Sequence, residues 1–281
     1  MSYKDLLVVL DSEASSRGRI EVAAMLAERF TAHIVGLYPL AISEAARHFG
    51  YYDPALLDPF FRELQERSRK AADKQREVFE HVTRLRDLSA EWRALPTGPD
   101  ADAALHARYV DLTILGQLDP DRGDADMIRP HPEHVTLASG RPVLVVPYAG
   151  HFETVGQRIL IGWNATREAA RAVNDAIPLL AAADVVTVLT VDPREGPNRH
   201  GQLPGADIAL HLARHGVKAQ IERTVSADLT VGDVLLSRAA DLGADLLVMG
   251  CYGHSRAREL LLGGATLTLL RNMTIPVFLS H

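Results

Sequence analysis

A single cysteine, Cys251, stands in 281 residues, so no intrachain disulfide can form and a reducing compartment is the simple expectation. Positive charge is not in excess either. Lys and Arg number 30 against 36 Asp and Glu, for a net charge of −6. That balance offers no general attraction to nucleic acid or to an anionic membrane surface. No apolar run approaches the ~20 residues that a membrane-crossing helix needs. Met1-Ser2-Tyr3-Lys4-Asp5 lacks the basic region of a secretory signal and leads into a short apolar stretch. These absences lead to the expectation of a cytoplasmic protein with neither membrane nor nucleic acid as a partner.

What is present is repetition. Leu6-Leu7-Val8-Val9-Leu10-Asp11 resembles Ile159-Leu160-Ile161-Gly162-Trp163-Asn164: a short apolar run, then Asp or Asn, then a helical pattern. Asp111-Leu112-Thr113-Ile114-Leu115-Gly116 matches Asp245-Leu246-Leu247-Val248-Met249-Gly250, and Arg141-Pro142-Val143-Leu144-Val145-Val146 matches Thr274-Ile275-Pro276-Val277-Phe278-Leu279. The order is the same in both halves, so the chain reads as a tandem duplication. The boundary falls at the turn-rich Pro147-Tyr148-Ala149-Gly150, giving domains 1–150 and 151–281.

In the second half the apolar runs 159–163, 185–191, 217–224, 245–249 and 275–279 are continuous rather than alternating, as strands covered on both faces are. Helical patterns lie between them: Glu168 to Leu180, Asp207 to His215, Val231 to Leu242 and Ala265 to Arg271. Strand and helix in alternation predict a doubly wound, Rossmann-like α/β fold, whose ligands bind beyond the carboxyl ends of the strands where the strand order reverses. The first half adds a charge-rich stretch, Pro54 to Leu88, with Leu56, Leu57, Phe60, Phe61, Leu64, Phe79, Val82 and Leu85 at helical spacing. It predicts one or two amphipathic helices, serving as an elongated crossover or as a partner surface.

Two glycine stations follow the fourth strand of the second half. One is Gly250-Cys251-Tyr252-Gly253-His254-Ser255; the other, Gly263-Gly264, directly precedes the helix from Ala265. Glycine at a strand exit permits close backbone approach and positive φ, and a loop built on it can present several N–H groups to an anion. The unpaired N–H groups at the start of a helix favour phosphate. His254, Arg256 and Arg258 add charge nearby.

The Gly-x-x-Gly pair, the nine residues before Gly263, the segment Gly253-His254-Ser255-Arg256-Ala257-Arg258-Glu259-Leu260 and the closing Pro276-Val277 resemble the nucleotide loop of the universal stress protein family. The resemblance extends over nearly the whole chain as two copies, the second much the closer. It implies two tandem five-stranded parallel sheets joined as an intramolecular pseudo-dimer, with room for a further homodimer. It also implies an adenine nucleotide, ATP or AMP with or without magnesium, in the second copy of a stress-linked sensor or regulator. Position by position, the family's adenosine contact after the first strand falls at Asn164, beside Gly162 and Trp163. Its base contacts fall at Val191 and Met249. Its phosphate loop falls at Gly250, Gly253, His254, Ser255, Gly263, Gly264 and Ala265. Two positions depart from the pattern: Gly264 stands where ATP-binding members carry Ser or Thr, and Asn164 where they carry an acid. Both changes favour a weaker site or a different adenine nucleotide.

No catalytic residue is assigned, since no general base stands beside the loop; slow ATP hydrolysis and a nucleotide-free scaffold are the alternatives. No metal site is assigned. In the first half Gly116 is followed by Asp119, Asp121, Asp124 and Asp126, which would repel phosphate, and the glycine pair is missing. That acidic loop, with His131 and His134, reads as solvated rather than as a cation site. Cys251 reads as an ordinary loop thiol. Trp163 reads equally as a base-stacking ring or as closure of the sheet edge. Asp192 reads as a ribose or cation contact or as a turn former, and 194–201 as a surface loop or a lid.

Overall fold

The continuous apolar runs become parallel strands, and the polar-punctuated stretches between them become the crossover helices. The computed structural model describes residues 2–11, 15–40, 54–95, 99–119, 130–193, 204–251 and 265–281. The chain divides into two compact units, Tyr3–Arg141 and Pro142–His281, the latter with Met1–Ser2.

Among its described residues the first unit has strands β1 (Asp5–Val9), β2 (His33–Pro39), β3 (Ala90–Leu95) and β4 (Leu112–Gly116), in the order β3-β2-β1-β4 and all parallel. Its helices are α1 (Ser15–Phe30), α2 (Pro54–Leu85), α3 (Pro99–Ala107) and α4 (Pro132–Ser139). The amphipathic stretch is thus one helix of 32 residues. It buries Ser68, Ala72, Gln75, Phe79, Val82 and Thr83, spaced by three and four so that they share a stripe. Phe79 and Val82 are inside as their spacing predicts. Leu85 is 73% exposed, because the helix ends there. The side chains of Leu56, Leu57, Phe60, Phe61 and Leu64 lie outside the described residues.

The second unit has β5 (Val143–Val146), β6 (Arg158–Gly162), β7 (Val185–Val191), β8 (Ala219–Thr224), β9 (Leu246–Gly250) and β10 (Val277–Ser280), in the order β5-β10-β9-β6-β7-β8. All neighbours are parallel except β5, which runs antiparallel to β10 with Val145 opposite Val277. The last strand of the first repeat therefore belongs to the second unit. The described strands divide four and six rather than five and five, and the units part at Arg141 rather than near residue 150.

The helices are α5 (Arg167–Asp175), α6 (Ile177–Ala181), α7 (Ala206–Arg214), α8 (Val231–Asp241) and α9 (Ala265–Asn272). The sequence pattern 168–180 suggests one helix, but it is two, parted at Ala176. Pro178 has no N–H for the ladder, and its ring crowds the carbonyl four residues back.

The repeated Asp of the two halves has the same structural task in both. Asp111 accepts from the N–H groups of Lys4 (2.6 Å) and Asp5 (3.2 Å), and Asp245 from those of Gly156, Gln157 and Arg158 (2.9–3.0 Å). Each carboxylate satisfies the unpaired amides where the first strand of its repeat begins.

Candidate functional site

In the second unit the strand order reverses between β6 and β9. The chain moves outward from β6 through β7 to β8 on one side, and through β9 to β10 on the other. Gly162, the last residue of β6, lies opposite Leu189 on β7 and Met249 on β9. The register thus brings Gly162, Trp163 and Asn164 beside Met249 and Gly250 at the carboxyl edge, with Val191 ending the neighbouring β7.

Met249 is buried, Trp163 and Val191 are half-buried, and Asn164 is exposed. The Trp163 N–H donates to the Leu189 carbonyl (2.9 Å), which anchors its backbone to β7. Asn164 Oδ1 accepts from the Thr166 N–H (3.2 Å) and hydroxyl (2.9 Å). Thr166 caps α5, its Oγ1 accepting from the Ala169 N–H (3.3 Å), so the amide carbonyl of Asn164 helps to set the helix start. Gly253, His254, Ser255, Gly263 and Gly264 lie outside the described residues. The backbone of Ala265 opens α9, as the glycine pattern predicts.

Gly250 is glycine because a helix sits on it. A Cβ there would lie 2.4 Å from the Ala169 nitrogen and 2.5 Å from the Glu168 carbonyl carbon. Its φ is not positive, so close approach and not handedness is what excludes a side chain. Glu168 is 3% exposed, and its carboxylate accepts from Arg167 Nε. Burial pushes the Glu168 carboxyl up, but the Arg167 hydrogen bond, the backbone N–H and the Arg167 charge outweigh it and hold the group below the usual carboxylate range. The sequence pattern did not reveal this contact, because a glutamate at the start of a helix usually faces water.

Among the described residues of this unit, three other than glycine have positive φ: Ala165 (57°), Asp192 (44°) and Ala227 (49°). They fall in the loops after β6, β7 and β8, all at the carboxyl edge. In the first unit the corresponding residues, Thr31 and Asp87, follow the ends of α1 and α2, where a left-handed residue ordinarily closes a helix. Such backbone strain clusters at functional edges. Asp192 is clasped to the next loop, accepting from the Ser226 N–H (3.1 Å) and hydroxyl. The Ser226 side chain and then its N–H hold the Asp192 carboxyl below its ordinary value. Relief of the strain is measurable. Ala227→Gly is expected to raise stability by about 0.5–1 kcal/mol, since the left-handed penalty removed exceeds the entropy cost of glycine. Ala213→Gly, on exposed α7, is expected to lower stability by about 1 kcal/mol. Urea midpoints of the two variants check the opposite signs.

Cys251 is fully buried, its N–H donating to the Ser280 carbonyl (2.9 Å), an environment that leaves a thiol inert. Among the described residues no cluster of three His, Cys, Asp or Glu could hold a metal, and no helix is long and apolar enough to cross a membrane. Asp121, Asp124, Asp126 and the stretch 194–201 lie outside the described residues.

The first unit's corresponding edge is filled. Gly116 ends β4, and a Cβ there would meet the Arg19 guanidinium at 2.3 Å. Arg19, 4% exposed, donates to the Val9 carbonyl (2.6 Å) and to Asp11 Oδ2 (3.1 Å). The Ser16 hydroxyl also donates to Asp11 (2.9 Å). Buried charge, paired and hydrogen-bonded, occupies the crevice between β1 and β4.

The architecture and the carboxyl-edge site define a Rossmann-like α/β protein with a parallel-dominated sheet. Residues 156–281 match the model of the Universal stress protein family. A curated relative, Universal stress protein Slr1230 of Synechocystis, is 27% identical over 147 residues, 52% of this chain; the match spans only 48% of that protein's length. A universal stress protein from Archaeoglobus fulgidus has a similar fold over 98% of this chain and 95% of its own, at 15% identity and a TM-score of 0.71. A putative universal stress protein from Pseudomonas aeruginosa covers 99% of this chain and 93% of its own, at 15% identity and a TM-score of 0.55.

Proposed function

We propose that the second unit binds an adenine nucleotide, ATP or AMP, at the carboxyl edge between β6 and β9, as the ligand-sensing element of a stress-linked regulator. The observation that carries the reading is the register that sets Gly162, Trp163 and Asn164 beside Met249 and Gly250 at the point of strand reversal. Trp163, Val191 and Met249 offer apolar surface for a base, and the Asn164 amide reaches solvent for a ribose or base contact. The amides from Gly250 to Gly253, with His254, Ser255, Gly263, Gly264 and the start of α9 at Ala265, would take the phosphates. Magnesium would arrive with the phosphates rather than in a protein cage.

The filled crevice at Arg19 and Gly116 supports a first copy without nucleotide. The pairing of Val143–Val146 with Val277–Ser280, the last strands of the two repeats, supports an intramolecular pseudo-dimer. The role is binding: a nucleotide that prefers one conformation of the loop shifts the population and alters a partner surface.

Purified protein, denatured and analysed by mass spectrometry, is expected to release adenine nucleotide. At about ten times Kd, ATP or AMP should raise Tm by about 3 °C or more. Gly253→Asp should abolish the rise. Absence of both nucleotide and shift at millimolar ligand would leave a scaffold. Phosphate release that Gly253→Asp removes would instead make the protein a slow hydrolase.

A further inference from the structure

We propose that His211 and His215, on α7 of the second unit, form a chelating site for a divalent transition-metal ion of the zinc class, independent of the nucleotide reading. The two residues are four apart, so they share one face of the helix and its continuation into the cap. Their ring centroids lie 4.7 Å apart with the planes at 59°. Two imidazoles sharing a metal at the usual zinc–nitrogen distance, with an angle between right and tetrahedral, would have centroids about 4.5–5.2 Å apart. The rings therefore already stand at chelating separation.

A second observation concerns an atom. His211 Nε2 is buried and has no hydrogen-bond partner. A buried polar nitrogen left unsatisfied needs an explanation, and a metal ligand supplies one. His215 is exposed, so its ring can adjust towards a metal shared with His211. The surroundings also favour a cation. His215 caps the C-terminus of α7, where the last carbonyls carry partial negative charge, and exposed Asp207 stands one turn before His211 on the same stripe. The single positive neighbour in this last turn of α7 is Arg214, which is exposed and can extend into water. The other described pair of neighbouring histidines, His131 and His134, is wider at 5.3 Å, and both residues hold further contacts.

Among the described residues no third His, Cys, Asp or Glu completes a cluster, so water fills the remaining positions. Imidazole donors suit zinc, copper and nickel over magnesium or calcium.

The test is titration of the full chain, stripped with EDTA, with zinc against a chromogenic chelator. One strong equivalent per chain is expected. Loss of one of two linked ligands should weaken it roughly tenfold or more in both His215→Ala and His211→Gln. His134→Ala should leave it unchanged. Because His215 is exposed, its variant keeps the fold, which far-UV circular dichroism checks. No zinc binding, binding indifferent to His215→Ala, or an equal loss in His134→Ala would overturn the proposal.

Discussion

Gly250→Ala is expected to destabilise the second unit by about 3 kcal/mol or more, well above the cost of an ordinary overpacking substitution. The reason lies in what the new methyl meets. Two of its three nearest atoms, at 2.4 and 2.5 Å, are backbone atoms of the first turn of α5, and the third is the Glu168 Cβ at 2.9 Å. None can be moved by a change of rotamer. The helix must lift from β9 and β10, and with it go the buried Glu168, Ala169, Ala172 and Val173. Glu168 would then lose the setting in which burial is outweighed by Arg167. Gly116→Ala is the internal comparison. There the methyl meets only the end of the Arg19 side chain, which has rotatable bonds, so a loss of about 1–2 kcal/mol is expected. Urea denaturation followed by tryptophan fluorescence, with Trp163 in one unit and Trp92 in the other, separates the two effects. Equal losses in the two variants would mean that α5 is free to shift, and the close approach would no longer explain the glycine.

That contrast also shows how much the sequence could tell. The strands and their alternation with helices were legible, because most of them rest on the continuous apolar runs of a twice-covered parallel sheet. The run 217–224 is the correction: it forms β8, but β8 is an edge strand with no residue buried, since among the described residues nothing pairs with its outer side. The repeat was legible because the same short runs recur in the same order. Two features were not. The pattern Glu168 to Leu180 keeps its helical spacing through Pro178, and the break at Ala176 follows from backbone chemistry that periodicity does not register. The place of Val143–Val146 depends on a hydrogen-bonding partner 132 or more residues away in sequence, Val277 to Leu279, and no local pattern encodes such a pairing; only the family resemblance suggested that the last strands meet.

At the site, glycine at 250 was legible as a strand exit that admits close approach, but the approaching group is the protein's own helix. Gly253, His254, Ser255, Gly263 and Gly264 remain assigned by resemblance. The clasp between Asp192 and Ser226 and the strain at Ala165 and Ala227 were invisible, because alanine carries no sequence signal for a left-handed backbone.

Arg19→Ala is expected to cost the first unit about 3–4 kcal/mol, the second of the large effects. Arg19 looks like any of several arginines on a helical pattern, yet its side chain is only 5% exposed and its partner Asp11 only 15%. Removing the guanidinium takes the ion-pair partner from a carboxylate with little water, and leaves an unsatisfied Val9 carbonyl and a cavity above Gly116. Each of these costs free energy, and the lost partner of the buried charge costs most. The loss should therefore depend on Asp11. Arg19→Met, which refills the space but not the charge, should recover only part of it. Combined with Asp11→Leu, which removes the stranded carboxylate, it should recover most of the rest, so that the double variant is more stable than the two single losses added together predict. Additive losses in that cycle would mean that Arg19 acts by packing alone, and the crevice of the first unit would then be filled by bulk rather than closed by a buried ion pair.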